Sequence, residues 1–248
     1  MIASLPMYDL PPFRAANDRL WAGIRDRMRA TGLPAPEALT RGADTLWPQW
    51  EAADLTLSQT CGMPYRTRLH GRVTLIGTPD YGVEGCPPGY YRSVFVAHKD
   101  DTRQGLGAFD GSHMAYNEDV SQSGWAAPLN HARANGITLN PTLKTGGHLL
   151  SLQAVAEGRA PLASLDAVTF RMLQSFHPLA AQIKVIAQTD PTPGLPLIAA
   201  KGADTAVMFR LIGDAIAAMP TDDRALTGLR GLIAIPAEHY LAVPTPTH

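Results

Sequence analysis

The chain has 248 residues, of which 45% are hydrophobic and 17% charged, and its formal net charge is −1. This is a globular composition able to bury a core, on a length that allows one large domain or two lobes of about 100–150 residues each. Lys and Arg are scattered, so the basic stripe of a nucleic-acid binder and the basic amphipathic helix of a membrane-surface protein are absent, and no apolar run approaches the ~18 residues of a membrane span.

Glycine (22) and proline (21) are both frequent, which suits many short elements joined by tight loops. Ile2–Met7 reads as a strand, followed by the turn Tyr8-Asp9-Leu10-Pro11-Pro12. From Phe13 to Arg29 apolar residues recur at helical spacing (Phe13, Leu20, Ile24, Met28). Strands are expected at Ala53–Ser58, Val73–Gly77, Arg92–Ala97 and Ser112–Asn117, with a short helix running to His70 and another over Trp125–Ala134. Thr138–Leu143 is a strand, Thr145–His148 a loop, and Leu149–Glu157 a helix that stops at Gly158. Leu162–Leu165, Ile183–Ala187 and Leu195–Ala199 are strands, and Asp166 can cap a helix over Ala167–Phe176. Helices over about Thr205–Met219 and Asp222–Leu229 precede a Pro/Thr tail. This alternation predicts α/β layers with mostly parallel sheets, whose strand-to-helix junctions are where ligands bind.

Four junctions carry small polar residues: Tyr8-Asp9, Ser58-Gln59-Thr60-Cys61-Gly62, Ser121-Gln122-Ser123-Gly124 and Thr145-Gly146-Gly147-His148. A helix start leaves backbone N–H groups unpaired beside a partial positive charge, so each can either be capped by its own serine or hold an anion. Gly124 lets a ligand approach the main chain. His148 can donate to an anion, act as a base or close a helix start. Asp166 is a cap first, and an acceptor for an amine or hydroxyl if its loop faces a cleft. Trp47, Trp50, Tyr90, Tyr91 and Trp125 read as packing residues, with Trp125 also placed to wall a pocket. Eight histidines lack the HxxxH and HExxH spacings, so no metal is expected. Phosphate-loop, dinucleotide and G-x-S-x-G fingerprints are missing as well, and no cofactor is expected. Cys61, at a helix start, could be an activated thiol or could pair with Cys86 in a disulfide in an oxidising compartment; both stay open.

In order along the chain, ASLPMYD (Ala3–Asp9), LSQTCGMPY (Leu57–Tyr65), GRVTLIGTPDY (Gly71–Tyr81), YYRSVFVAHKD (Tyr90–Asp100), YNEDVSQSGWAAP (Tyr116–Pro128) and TGGHLLSLQAVAEGRAPLASLDAVTF (Thr145–Phe170) resemble the phosphate/phosphite/phosphonate solute-binding proteins of ABC importers. The resemblance spans nearly the whole chain. It implies a two-lobed, periplasmic-binding-protein-like type II fold, each lobe a mixed, mostly parallel sheet flanked by helices. The first lobe would take residues 1–90 and 190–248 and the second 91–189, with hinges near Tyr91–Val94 and Ile186–Thr189 and a ligand cleft between the lobes. Carried over residue by residue, the family's ligand contacts fall on Tyr8, Gln59, Thr60, Cys61, Ser121, Gln122, Ser123, Gly124, Thr145 and His148, and Asp166 matches an acidic position that meets an amine in aminophosphonate binders. Where the family usually has an Asp after Ala, this chain has Arg159-Ala160-Pro161.

The resemblance implies a non-enzymatic receptor for a small anionic solute, monomeric, delivering to an ABC permease. The family is periplasmic, whereas MIASLPMYDLPP lacks the features of a secretory leader, so a chain starting naturally at Met1 would stay in the cytoplasm. That feature favours the alternative of a cytoplasmic enzyme or sensor on the same fold, related to cofactor-precursor synthesis, with Cys61 and His148 as nucleophile and base.

Overall fold

The computed structural model describes residues 1–42 and 46–247. In chain order the elements begin with β1 (Ile2–Ser4), α1 (Arg14–Ala30), α2 (Trp47–Trp50), β2 (Leu55–Gln59), α3 (Gly62–Pro64) and β3 (Val73–Asp80). They continue with β4 (Tyr90–Tyr91), β5 (Ser93–His98), β6 (His113–Tyr116), α4 (Ala127–Ala134), β7 (Asn140–Lys144) and α5 (His148–Ala156). β8 (Leu162–Asp166), α6 (Ala167–Phe176), β9 (Ile183–Gln188), β10 (Thr192–Pro193) and β11 (Leu197–Ala200) follow, and α7 (Thr205–Ala217), α8 (Thr221–Thr227), β12 (Gly231–Ile233) and α9 (Ala237–Leu241) finish the chain. The chain forms two compact units, Met1–Glu84 with Pro193–Leu241, and Gly85–Thr192 with Ala242–His248. The tail from Ala242 thus groups with the second unit, where the sequence reading left it with the first lobe.

The first unit holds a five-stranded sheet in the order β1-β2-β11-β3-β12. α1 buries Leu20, Trp21, Ile24 and Met28, one stripe at helical spacing, in the same apolar cluster as Met208, Leu211, Ile212, Ala215 and Ile216 of α7. The end of α1 is set by Gly32 at φ 79°, the left-handed conformation that glycine adopts most cheaply, and the Leu33 N–H reaches back to Met28 O at 2.9 Å.

In the second unit the order is β7-β6-β8-β5-β9. β8 is buried along its whole length and packs against α5 and α6. A strand covered on both faces reads as a continuous apolar run rather than an alternation, as Leu162-Ala163-Ser164-Leu165 does.

The sheets are mixed, but their parallel share is smaller than expected. β1–β2, β6–β7 and β6–β8 pair in parallel. β11 pairs antiparallel with β2 and β3, β12 with β3, and β5 with β8 and β9. β5 and β11 each follow a point where the chain passes from one unit to the other, so no βαβ crossover constrains their direction. Five further elements differ from the sequence reading. α2, β4, β10, β12 and α9 fall in segments read as connection or tail; at two to five residues each is too short to display a period. Tertiary contacts define them instead: Tyr240 of α9 is 1% exposed, with its hydroxyl 2.5 Å from Thr78 Oγ1 and 3.0 Å from Gly194 O.

Asp166 ends β8 and starts α6, its Oδ1 accepting from the N–H groups of Val168 (2.7 Å) and Thr169 (2.9 Å). Replacing it by Ala should cost about 1 kcal/mol of unfolding free energy, whereas Asn, an equally good cap, should retain most of it; urea unfolding of the two variants checks this.

Candidate functional site

The segment Ser121–Ala126 begins where the loop after β6 ends. Ser121 has extended backbone angles, and its Oγ accepts from the Gly124 N–H at 2.9 Å, which is N-capping. The turn that follows, Gln122–Ala126, is wider than an α-helix: the Ala126 N–H reaches back five residues to Ser121 O at 3.0 Å. Such π turns strain the helical ladder and recur at functional positions. α4 continues directly from this one.

Asn117 and Gly124 hold this turn in shape. A Cβ on Gly124 would lie 1.9 Å from Asn117 Oδ1 and 3.3 Å from Ser121 Oγ, so only glycine lets the loop close over the turn. Asn117 Oδ1 is buried and accepts no hydrogen bond from the described residues. Across the loop, the N–H groups of Thr145 and Gly146 donate to Tyr116 O (2.8 Å) and Asn117 O (2.9 Å). Lys144 Nζ bridges Glu118 and Asp119 at 2.8 and 2.7 Å, and those two carboxylates raise its pKa.

This pairing brings the start of α5 against the π turn. Ser123 Oγ lies 2.9 Å from His148 Nε2, joining the first residue of α5 to the opening turn of the other helix. Ser164 of β8, fully buried, donates to Ser123 O at 2.7 Å and holds that residue from behind. Burial pushes the His148 pKa down to about 4 from 6.5, so the imidazole is neutral at pH 7. Its Nδ1 is buried with no hydrogen-bond partner among the described residues, although the residue as a whole keeps some exposed surface. Together these residues bring hydroxyls, amides and a neutral ring to two helix starts, a position where backbone N–H groups and helix dipoles favour negative charge without a full cation.

The other expected residues are placed differently. The Thr145 hydroxyl lies within 3.0 Å of Tyr116 O, 3.1 Å of Gly147 O and 2.7 Å of Ser151 Oγ, so its hydrogen-bonding capacity is spent on the loop. Asp166 is 2% exposed and serves as the α6 cap. In the first unit Tyr8 packs edge-on against Tyr81 with ring centroids 4.7 Å apart. Gln59 Nε2 donates to Leu195 O, and its carbonyl accepts from Trp50 Nε1. The two rings and Gln59 also line a 20 Å³ cavity, too small for a solute. Thr60 follows, fully buried, its N–H donating to Pro196 O and its Oγ1 without a partner among the described residues. Cys61 is the residue before α3, which leads into a second π turn over Tyr65–Leu69.

Cys61 and Cys86 are thiols, which corrects the disulfide that the sequence left open. They belong to different units, and Cys86 Sγ accepts from Arg92 Nε at 3.2 Å. Sequence reasoning passed over Asn117, Ser151, Ser164 and Tyr81. Asn117 and Tyr81 lay inside quoted motifs, but what distinguishes them, a closed approach to Gly124 and a ring contact with Tyr8, exists only in three dimensions. Among the described residues no cluster of His, Cys, Asp and Glu could hold a metal, and no helix is long and apolar enough to cross a membrane.

Comparison with known proteins puts a class on this arrangement. Residues 53–240, about three quarters of the chain, match the family described as "ABC transporter, phosphonate, periplasmic substrate-binding protein". The chain belongs to that family, which is one of transport receptors and not of enzymes, so the enzymatic alternative built on Cys61 and His148 falls. No curated protein gives a sequence match.

Solved structures extend the likeness over the full fold, that of the two-lobed periplasmic binding proteins. XAC2383 from Xanthomonas citri, solved bound to ATP, superposes with a TM-score of 0.70 at 16% identity over 97% of this chain and 94% of that one. PhnD1 from Prochlorococcus marinus, in complex with methylphosphonate, gives a TM-score of 0.70 at 11% identity over 96% and 94%. PA3383 from Pseudomonas aeruginosa, a binding protein component of an ABC phosphonate transporter, gives 0.68 at 17% identity over 94% and 81%.

Two outcomes follow from this geometry. Gly124→Ala should cost about 1–3 kcal/mol through overpacking, and adding Asn117→Gly should recover most of the loss, read in a double-mutant cycle of unfolding free energies. Because His148 is held below the 6.5 at which it titrates unperturbed, its contribution is complete above about pH 6.5 and is lost as pH falls toward 4. The difference in stability between the wild type and His148→Gln should therefore change across that window and be flat above it, measured by denaturation at a series of pH values.

Proposed function

We propose that the chain is the solute-binding component of an ABC importer and that its solute carries a tetrahedral oxyanion of the phosphonate or phosphate type. The observation that carries this reading is the 2.9 Å contact between Ser123 Oγ and His148 Nε2, which gathers two helix starts into one neutral, partly buried corner. An oxyanion there would accept from the backbone N–H of Ser123 and from the Ser121 and Ser123 hydroxyls. Bonds to a charged acceptor are roughly twice as strong as neutral ones, and a dry surround strengthens them further. Family membership supports the solute-binding role, and the methylphosphonate complex of PhnD1 supports the ligand class.

Under this proposal the solute favours whichever conformation of the chain binds it more tightly. Asp166 contacts the solute only if the solute bears an amine. The protein would work as a monomer in the periplasm, handing its cargo to a membrane permease.

The test is thermal and calorimetric titration with methylphosphonate, an aminoalkylphosphonate, phosphite, phosphate, methanesulfonate, a carboxylate and ATP. A true ligand at a hundredfold excess over its Kd should add about 2.7 kcal/mol of stability, and Ser123→Ala should weaken its binding roughly ten- to a hundredfold. Failure of every phosphorus oxyanion in the panel to bind would refute the proposal.

A further inference from the structure

We propose that His148 is a positioning residue that holds its proton on Nε2, donates it to Ser123 Oγ, and thereby turns the Ser123 hydroxyl proton outward to the solute. The inference rests on the oxyanion reading above and adds a direction to it. A serine hydroxyl has one proton to give and two lone pairs. At 2.9 Å from His148 Nε2, Ser123 either gives that proton to the ring or receives one from it. In the first arrangement Ser123 offers a negative solute only lone pairs, which repel it. In the second, the hydroxyl proton is available to the oxyanion, and each bond in the chain from Nε2–H to Oγ–H to anion polarises the next.

The surroundings of the ring select the second arrangement. His148 Nδ1 is buried with no partner among the described residues. A proton there would be a buried donor with nothing to accept it, and orphaned buried N–H groups are rarer than under-satisfied acceptors. The bare nitrogen is the cheaper state, which leaves the proton on Nε2. The same burial keeps the ring neutral at pH 7, so one proton is shared between two nitrogens and its location matters. The serine is meanwhile held from the other side: Ser164 donates to its carbonyl at 2.7 Å, and the Ser121 cap fixes the turn that carries it. His148 therefore acts through Ser123 and does not need to touch the solute.

The experiment is nitrogen NMR of 15N-histidine-labelled protein at neutral pH, recorded alone and with methylphosphonate, and assigned with His148→Gln. The expected spectrum has Nε2 protonated and Nδ1 bare in both states; a proton on Nδ1 in the complex overturns the inference. Affinity supplies a second arm. A glutamine amide reaches about as far as Nε2 and should keep binding within about threefold, whereas His148→Asn, which reaches only as far as Nδ1, should lose up to roughly tenfold. In a Ser123→Ala background His148→Asn should cost nothing more; a further loss there would mean that the ring contacts the solute directly, and the positioning role would fall. If no phosphorus oxyanion binds the wild type, the oxyanion reading fails on its own, while the tautomer in the unliganded protein still decides whether the ring donates to Ser123.

Discussion

The hydrogen bond between Ser123 and His148 is the contact on which the corner between the Ser121–Ala126 turn and α5 depends. It spans 25 residues of sequence and ties a turn capped by Ser121 to the start of α5, whose N-cap residue, Gly147, offers no side chain. Neither partner carries charge at neutral pH, and neither is surrounded by cations: the nearby Lys144 is committed to Glu118 and Asp119. A site of this kind attracts negative charge through oriented dipoles in a dry environment. Its affinity should thus derive from geometry more than from long-range Coulomb attraction, which salt would screen.

Geometry of that precision has to be supported. The π turn over Gln122–Ala126 is the local device: with one extra residue in its first turn, the backbone entering α4 is wider than a regular helix would be. Gly124 makes this possible because Asn117 occupies the space a side chain would need. Ser164 reaches across from the buried strand β8, and Thr145 spends its hydroxyl on the adjoining loop. Several polar residues expected to meet a ligand thus turn out to hold the Ser123 turn in place instead. This division of labour is what a binding site placed on rigid elements requires.

Much of the architecture was legible because the relevant signals are local. The apolar stripe of α1, the Gly158 stop after α5, the aspartate cap of α6 and the uninterrupted apolar run of β8 each state their element directly. The two-lobed fold and the receptor class were also readable, through the order of motifs from Ala3–Asp9 to Thr145–Phe170. What escaped was whatever depends on distant partners. β12 and α9 are too short to carry a period and exist because β3 and Thr78 receive them. Strand direction in β5 and β11 follows from the chain's passage between units, which no window of sequence displays. At the site, Ser121, Ser123 and His148 announced themselves as helix starts, but nothing in the sequence said that Ser123 and His148 touch, or that the Thr145 hydroxyl would be occupied elsewhere.

The most direct measurement is a crystal structure of the protein grown with methylphosphonate, at a resolution that places the anion's oxygens individually. An oxygen of the phosphonate should lie within hydrogen-bonding distance of Ser123 Oγ and of the Ser123 backbone nitrogen, with the His148 ring behind the serine at its present 2.9 Å. A phosphonate bound elsewhere, with Ser123 and His148 still facing only each other, would contradict it.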